Sequence, residues 1–411
     1  MAQNDTAGQS DEDLGAPQFA YHAIFEPFMI VGIMVASCYF NRLRGYPIRP
    51  QPNKDDGLLG SSKLEPRDED ELLGDDGDDD QPSLSLLATS GSSPKSLRHG
   101  SKQKRNCCGA VIYTPGNARY ANYWHSRFIQ KFPFLVEMFY WAVNLLAYVG
   151  VKAFSELIFA TDGVWQTAEN HGKAVLWFEH EGPFRFLFPL QEITVQRFFR
   201  LGHQTMLTIL NRSYSLIHIP VTVSFLAWYY YAAPTHAQFA AARRMMSLTN
   251  FVSFAVFTTY PCMPPRLLPE EYGFFDTVRR EDSESIYATN KFFNQLAAFP
   301  SLHFGYSFCI GTVFLYHSGL FRRRLAPREK RMSKGWQVFF ATLSVVYPCY
   351  VLTIIVSTAN HYWLDALAAT GVVLIAWLLN RCLLVLLPLE DFFLWSVKLA
   401  KPVPTTANRV F

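Results

Sequence analysis

The hydrophobic residues of this chain gather into runs long enough to cross a bilayer, and nothing else in the sequence constrains the fold as strongly. A transmembrane helix needs about twenty mostly apolar residues. Seven stretches meet or approach that length, at roughly 22–40, 133–153, 213–233, 245–263, 299–318, 337–358 and 361–387. The clearest runs from Val338 to Ala359 without a formal charge; the weakest is the first, where Glu26 and Pro27 interrupt its start. Charged residues make up only 17% of the chain, against about 25% in ordinary globular proteins. The expected fold is all-α, a polytopic membrane bundle of six core helices plus one N-terminal span.

The charges that remain are unevenly placed. Residues 55–80 hold twelve Asp or Glu, inside a polar segment (41–131) too poor in apolar residues to build a core of its own. The domain reading is therefore an N-terminal tail and first span (1–40), an acidic disordered cytosolic loop (41–131), a six-span core (132–388) and a cytosolic tail (389–411). Residues 161–204 are polar but aromatic, with Trp165, Trp177 and Phe178, and read as interfacial helices.

Basic residues set the orientation. Arg322, Arg323, Arg324, Arg328, Lys330, Arg331 and Lys334 follow the fifth run, Arg243 and Arg244 precede the fourth, and Arg42, Arg44 and Arg49 follow the first. Placing these in the cytosol puts the N-terminus, with the sequon at Asn4, on the other side. The basic residues sit beside apolar runs, so the net charge of +3 points to membrane and away from nucleic acid. The seven Cys show neither zinc spacing nor a disulfide framework. Asp68-Glu69-Asp70-Glu71-Leu72-Leu73 has a dileucine sorting form, although a chance Leu pair in so acidic a tract is the better explanation.

Reactive residues collect where runs end. Tyr260-Pro261-Cys262-Met263-Pro264-Pro265-Arg266 closes the fourth, Pro300-Ser301-Leu302-His303 opens the fifth, and Ser357 to Asp365 spans the turn between the sixth and seventh. Alternation of the spans puts all three on the non-cytosolic face. His361 and Asp365 are one helical turn apart, so the carboxylate can hold one imidazole nitrogen as N–H and free the other as nucleophile or base. An ionisable pair inside a span is costly, which favours a functional role over a packing one. Pro300 and Ser301 fit a helix start, and a helix N-terminus suits phosphate. Arg266 adds a planar donor fork. His303, His361, Asp365, Arg266 and Ser301 thus make an inventory for phosphoryl transfer through a phosphohistidine, with no cofactor or metal. For that chemistry the two rings must lie a phosphate's width apart, about 4–8 Å.

Pro300-Ser301-Leu302-His303 and His361-x3-Asp365 resemble the second and third signatures of the type-2 phosphatidic acid phosphatase superfamily. Ala298 to His303 with Gly305, and Pro264-Pro265-Arg266, are most similar to its inositol phosphorylceramide synthase branch, fungal members especially. The resemblance covers roughly residues 132–388. It implies a lipid phosphotransferase of sphingolipid metabolism, with phosphatidylinositol as donor and ceramide as acceptor, in the Golgi or another endomembrane with its site facing the lumen. A Lys-x6-Arg-Pro first signature is absent, with Arg266 the nearest stand-in, and Ile355 stands where the third signature carries an Arg. Losing two phosphate-binding cations fits a phosphodiester donor better than a monoester. Water as acceptor would make the chain a lipid phosphatase, and a silent scaffold or transporter is the non-enzymatic alternative. The sequence leaves a partner subunit open.

Further residues carry weaker signals. His218 lies mid-run and Lys291 twelve residues before His303; both are candidates for substrate contact, with an interhelical hydrogen bond and an interface anchor as the plainer roles. Glu179, Gln191 and Glu192 are placed to touch a polyol headgroup, or simply to cap and solvate interfacial helices.

Overall fold

The computed structural model describes residues 21–49, 103–107, 110–158, 163–183, 185–216, 218–277, 296–320 and 332–406. Twelve α-helices stand among them. The N-terminal half carries α1 (Tyr21–Phe40), α2 (Trp124–Lys131), α3 (Phe134–Ile158), α4 (Val164–His180), α5 (Glu192–Gly202) and α6 (Gln204–Leu216). There follow α7 (His218–Ala232), α8 (His236–Thr259), α9 (Leu302–Ser318), α10 (Lys334–Ser357), α11 (Trp363–Leu378) and α12 (Leu387–Ser396). The sequon at Asn4, the dileucine-like tract and Lys291 lie outside the described residues, as does the side chain of His218.

Helix α8 is the hub. It packs against α3, α9 and α11, while α10 lies along α9 and α1 leans on α7. The core between them is aromatic and aliphatic, with Phe225, Tyr229, Tyr230, Phe239, Met246 and Ile310 buried together. Gly311 lets α9 and α10 approach: a Cβ there would stand 2.7 Å from the Ser344 carbonyl oxygen and 2.9 Å from Pro348 Cγ. The outer faces stay apolar, with Leu145, Leu146, Val345, Val346, Trp377 and Leu378 all exposed, as lipid-facing surfaces are.

Among the described residues, two helices are long and apolar enough to cross a membrane, α3 over Phe134–Val151 and all of α10. The segments Trp363–Leu378 and Asn380–Ser396, bent by 57°, pass the same test together. Two of the other expected spans depart from the ideal for visible reasons. Helix α9 has only 17 residues. Helix α8 buries polar residues along its length. Arg243 and Arg244, counted above as loop charges, are among them. Arg243 pairs with Glu137 of α3 at 2.6 Å, and Arg244 donates to Asn380 Oδ1 at 3.0 Å. These two arginines therefore stand inside a helix and not in a loop.

The far end of the acidic insert is also not coreless. Strands β1 (Gln103–Cys107) and β2 (Ala110–Thr114) form an antiparallel hairpin ahead of α2. Arg105 is buried against Asp391 of α12 at 3.0 Å, and Thr114 donates to the same carboxylate at 2.8 Å. Composition misses this because the anchoring partner lies at the opposite end of the chain.

Candidate active site

The three segments that end the helical runs are tied into one layer by main-chain hydrogen bonds. Cys262 N–H donates to Leu296 O at 2.7 Å and Ala298 N–H returns to Cys262 O at 3.2 Å. Arg266 N–H donates to Ala359 O at 3.0 Å, and Ser301 N–H to Asp365 O at 3.3 Å. Helix α4 covers this layer: Gly172 lies against Tyr362 and Met263, and the Tyr362 hydroxyl donates to Met263 O at 2.7 Å. Ala359, at the turn before His361, is fully buried with φ of +53°. This left-handed conformation costs an L-residue about 1–2 kcal/mol, and strain of that kind persists where surroundings fix the backbone.

Two imidazoles meet on this layer. The His303 and His361 rings lie 5.7 Å apart, centroid to centroid, tilted by 56°. His361 is buried, and its Nδ1 sits 2.8 Å from Ala298 O and 3.1 Å from Asp365 Oδ2. A carbonyl oxygen only accepts, so Nδ1 must carry hydrogen and the neutral ring keeps its lone pair on Nε2. Asp365 is fully buried and uses the same Oδ2 to accept Tyr362 N–H at 3.0 Å, capping α11. His303 stacks on Tyr214 of α6, centroids 4.3 Å apart and 26° from parallel.

The phosphate-binding candidates are more constrained than their sequence suggests. Arg266 donates from Nε to Asn360 Oδ1 at 2.9 Å and from Nη1 to both oxygens of Asp276 at 3.1 Å. A phosphate on this guanidinium must therefore share it with Asp276 or use Nη2. The Ser301 hydroxyl caps α9, accepting Phe304 N–H at 3.3 Å, which leaves its own hydrogen for an anion. Ile355 is fully buried with Val351 and Ala366, so that position is a packing site.

Two contributors carry no signal in the sequence. The Ala298 carbonyl is invisible there, and Tyr214 is one aromatic among many. Glu179 and Glu192 are fully buried, and their carboxylates accept the N–H groups of Leu364 and Trp363. They therefore hold protein backbone, and Gln191 is the residue that precedes α5 without a side-chain cap. His180 Nε2 is 2.7 Å from Glu192 Oε2, a hydrogen-bond distance.

A ring nitrogen with its lone pair available, a second imidazole across a phosphate-sized gap and an arginine bonded to Asn360, next to His361, make an arrangement able to support attack on phosphorus and proton transfer to a leaving oxygen. No curated protein and no solved structure matches the chain. Residues 185–327, which hold Arg266, Ser301 and His303 but end before His361 and Asp365, match the model of the PAP2 superfamily, a match that suggests a phosphatase- or phosphotransferase-type enzyme acting on lipid phosphates in membranes.

Proposed function

We propose that the protein is a membrane lipid phosphotransferase that works through a phosphohistidine, moving phosphoinositol from phosphatidylinositol to ceramide at the lumenal face of an endomembrane. The observation that carries this reading is the His303–His361 pair, 5.7 Å apart, with the His361 tautomer set by Ala298 O. In the first half-reaction His361 Nε2 attacks phosphorus and the bond to the diacylglycerol oxygen breaks. His303 gives that oxygen a proton. In the second, His303 takes the proton of the acceptor hydroxyl, the new oxygen–phosphorus bond forms, and the bond to His361 breaks. Arg266, Ser301 and the first turn of α9 would hold the phosphate oxygens, while His218 and Lys291 keep their candidate places in substrate contact. The resemblance in Pro264-Pro265-Arg266 and Ala298 to His303 supports the inositol branch.

The test is lipid mass spectrometry on protein reconstituted with labelled phosphatidylinositol, with and without ceramide. Label in an inositol phosphorylceramide supports the proposal. Label appearing only in soluble inositol phosphate makes water the acceptor and the protein a lipid hydrolase, and release of inorganic phosphate from a lipid phosphomonoester would make it a lipid phosphatase. No turnover of phosphatidylinositol or any other lipid phosphate would leave the scaffold alternative.

A further inference from the structure

The helix that carries Asp365 is gripped from outside the bundle. The first N–H groups of a helix have no intrahelical acceptor, and at α11 three in succession end on three different carboxylates. Tyr362 N–H donates to Asp365 Oδ2 at 3.0 Å, Trp363 N–H to Glu192 Oε1 at 3.2 Å, and Leu364 N–H to Glu179 Oε1. Glu179 lies in the last turn of α4 and Glu192 begins α5, so two helices converge on one turn of a third.

The remaining oxygens face His180. Its Nε2 is 2.7 Å from Glu192 Oε2 and 3.7 Å from Glu179 Oε2. Glu179 Oε2 is buried and accepts no hydrogen bond among the described residues. Two desolvated carboxylates beside one imidazole, with buried Asp365 and His361 just beyond, are too much negative charge unless one holds a proton. That proton on Glu179 Oε2 would give the orphaned oxygen a bond to make. Burial, with Glu192 opposite, pushes Glu179 up to about 11. Burial acts on Glu192 in the same sense, but hydrogen bonds from His180 and Glu179 bring it below the usual carboxylate value.

We propose that Glu179 and Glu192 are positioning residues for the transfer reaction, a proton-sharing carboxyl pair braced by His180 that fixes the first turn of α11 and, through Asp365, the ring of His361. The catalytic half of this inference rests on the function proposed above; the structural half does not. Asp365 Oδ2 serves both the Tyr362 amide and His361 Nδ1, so a shift of the turn moves the nucleophile directly. Misplacement by about 1 Å costs on the order of 100-fold in rate.

The experiment compares the full-length protein in nanodiscs with Glu179→Ala, Glu179→Gln, Glu192→Ala and Glu192→Gln. Hydrogen-exchange mass spectrometry over residues 361–366 is read alongside kcat and KM with fluorescent phosphatidylinositol. Both Ala variants should accelerate exchange in that peptide and lower kcat by about 10-fold or more, with KM nearly unchanged. Glu179→Gln keeps an acceptor for Leu364 and a donor for Glu192, so it should stay within about 3-fold of wild type. Glu192→Gln loses the charge facing His180 and should fall as far as its Ala variant.

Wild-type exchange in both Ala variants overturns the proposal. So does a Glu179→Gln variant as impaired as Glu179→Ala, which removes proton sharing. Stoichiometric divalent metal in the purified protein, lost in Glu192→Ala, would replace the pair with a metal centre. A wild-type protein that turns over no lipid defeats the functional reading instead, and exchange then still decides whether the clamp exists.

Discussion

His361 Nδ1 lies closer to the carbonyl oxygen of Ala298, at 2.8 Å, than to the carboxylate of Asp365, at 3.1 Å. Two acceptors share one N–H, and only one of them is charged. In a serine-protease triad, loss of the aspartate charge also loses the tautomer, and the rate falls about 10⁴-fold. Here the carbonyl preserves the tautomer. Asp365→Asn should therefore cost less, about 10–100-fold in kcat, reflecting lost stabilisation of the imidazolium alone. Single-turnover transfer measures it, and a 10⁴-fold loss would show that the carbonyl does not hold the ring.

His303 should matter in proportion to the basicity of the leaving group. With a diacylglycerol oxygen departing, His303→Ala should lose about 10²–10⁴-fold, the usual value of a general acid. With a nitrophenyl ester, which leaves without a proton, the loss should shrink to about 10-fold. His361→Ala should abolish acid-labile phosphoenzyme with both substrates. Equal losses on the two substrates for His303→Ala would remove its role as acid.

Arg266→Lys should raise KM more than it lowers kcat. The guanidinium uses Nε for Asn360 and Nη1 for Asp276, a geometry that an ammonium point charge does not reproduce. An increase of about 10-fold in KM for the lipid donor, equivalent to about 1.4 kcal/mol, is expected. Steady-state kinetics in mixed micelles would show it. An unchanged KM would mean that the arginine serves Asp276 and not phosphate.

Gly172→Ala tests how closely α4 must approach the site. The added Cβ would meet the Tyr362 hydroxyl at 2.6 Å and Met263 O at 2.9 Å, and Tyr362 is fully buried. Helix propensity favours Ala by about 1 kcal/mol, whereas overpacking costs about 1–3 kcal/mol. The steric term wins because a backbone carbonyl has nowhere to yield. Thermal unfolding should show a lowered midpoint, together with reduced turnover.

Glu179 gives stability a pH slope. Its folded-state value of about 11 lies far above the roughly 4.3 of an unfolded Glu. Between the two, the folded chain holds a proton that the unfolded chain has released, so stability falls as pH rises, by at most about 1.4 kcal/mol per pH unit. Glu192 is shifted the other way, and its contribution is lost only on the acid side, as pH falls through its lowered value. Glu179→Gln should therefore flatten the decline in unfolding midpoint between about pH 6 and 9. An identical decline in the variant would assign the slope elsewhere.

The site was legible where side-chain chemistry sits at helix ends. His303, His361 and Asp365 stand where helices open, Arg266 follows the end of α8 in a short turn, and the turn-by-turn spacing of His361 and Asp365 already implies one face. Backbone acceptors have no such signature, so nothing in the letters around Ala298 announces its carbonyl. Glu179 and Glu192 were visible as acids in an aromatic stretch, but their target is the main chain of residues 363 and 364. Arg243 and Arg244 were misread because a charge beside an apolar run resembles a loop charge until its partner, Glu137, is known. The helical class was plain from the apolar runs. Which runs are straight spans depends on bends such as the 57° one between Trp363–Leu378 and Asn380–Ser396, which hydropathy averages away.

The hairpin contact of Arg105 and Thr114 with Asp391 has a counterpart at the other end of the polar insert. Leu43 N–H donates to Lys131 O at 2.8 Å, and Arg127 donates to Pro47 O. The described segments on either side of residues 50–102 are thus both fastened to the helical body. A single protease cut between those segments should leave two fragments that copurify, sediment as one particle and unfold together. The insert would then be a handle: a fluorescent protein or affinity peptide could be spliced into it at a closure cost that grows only as the logarithm of its length.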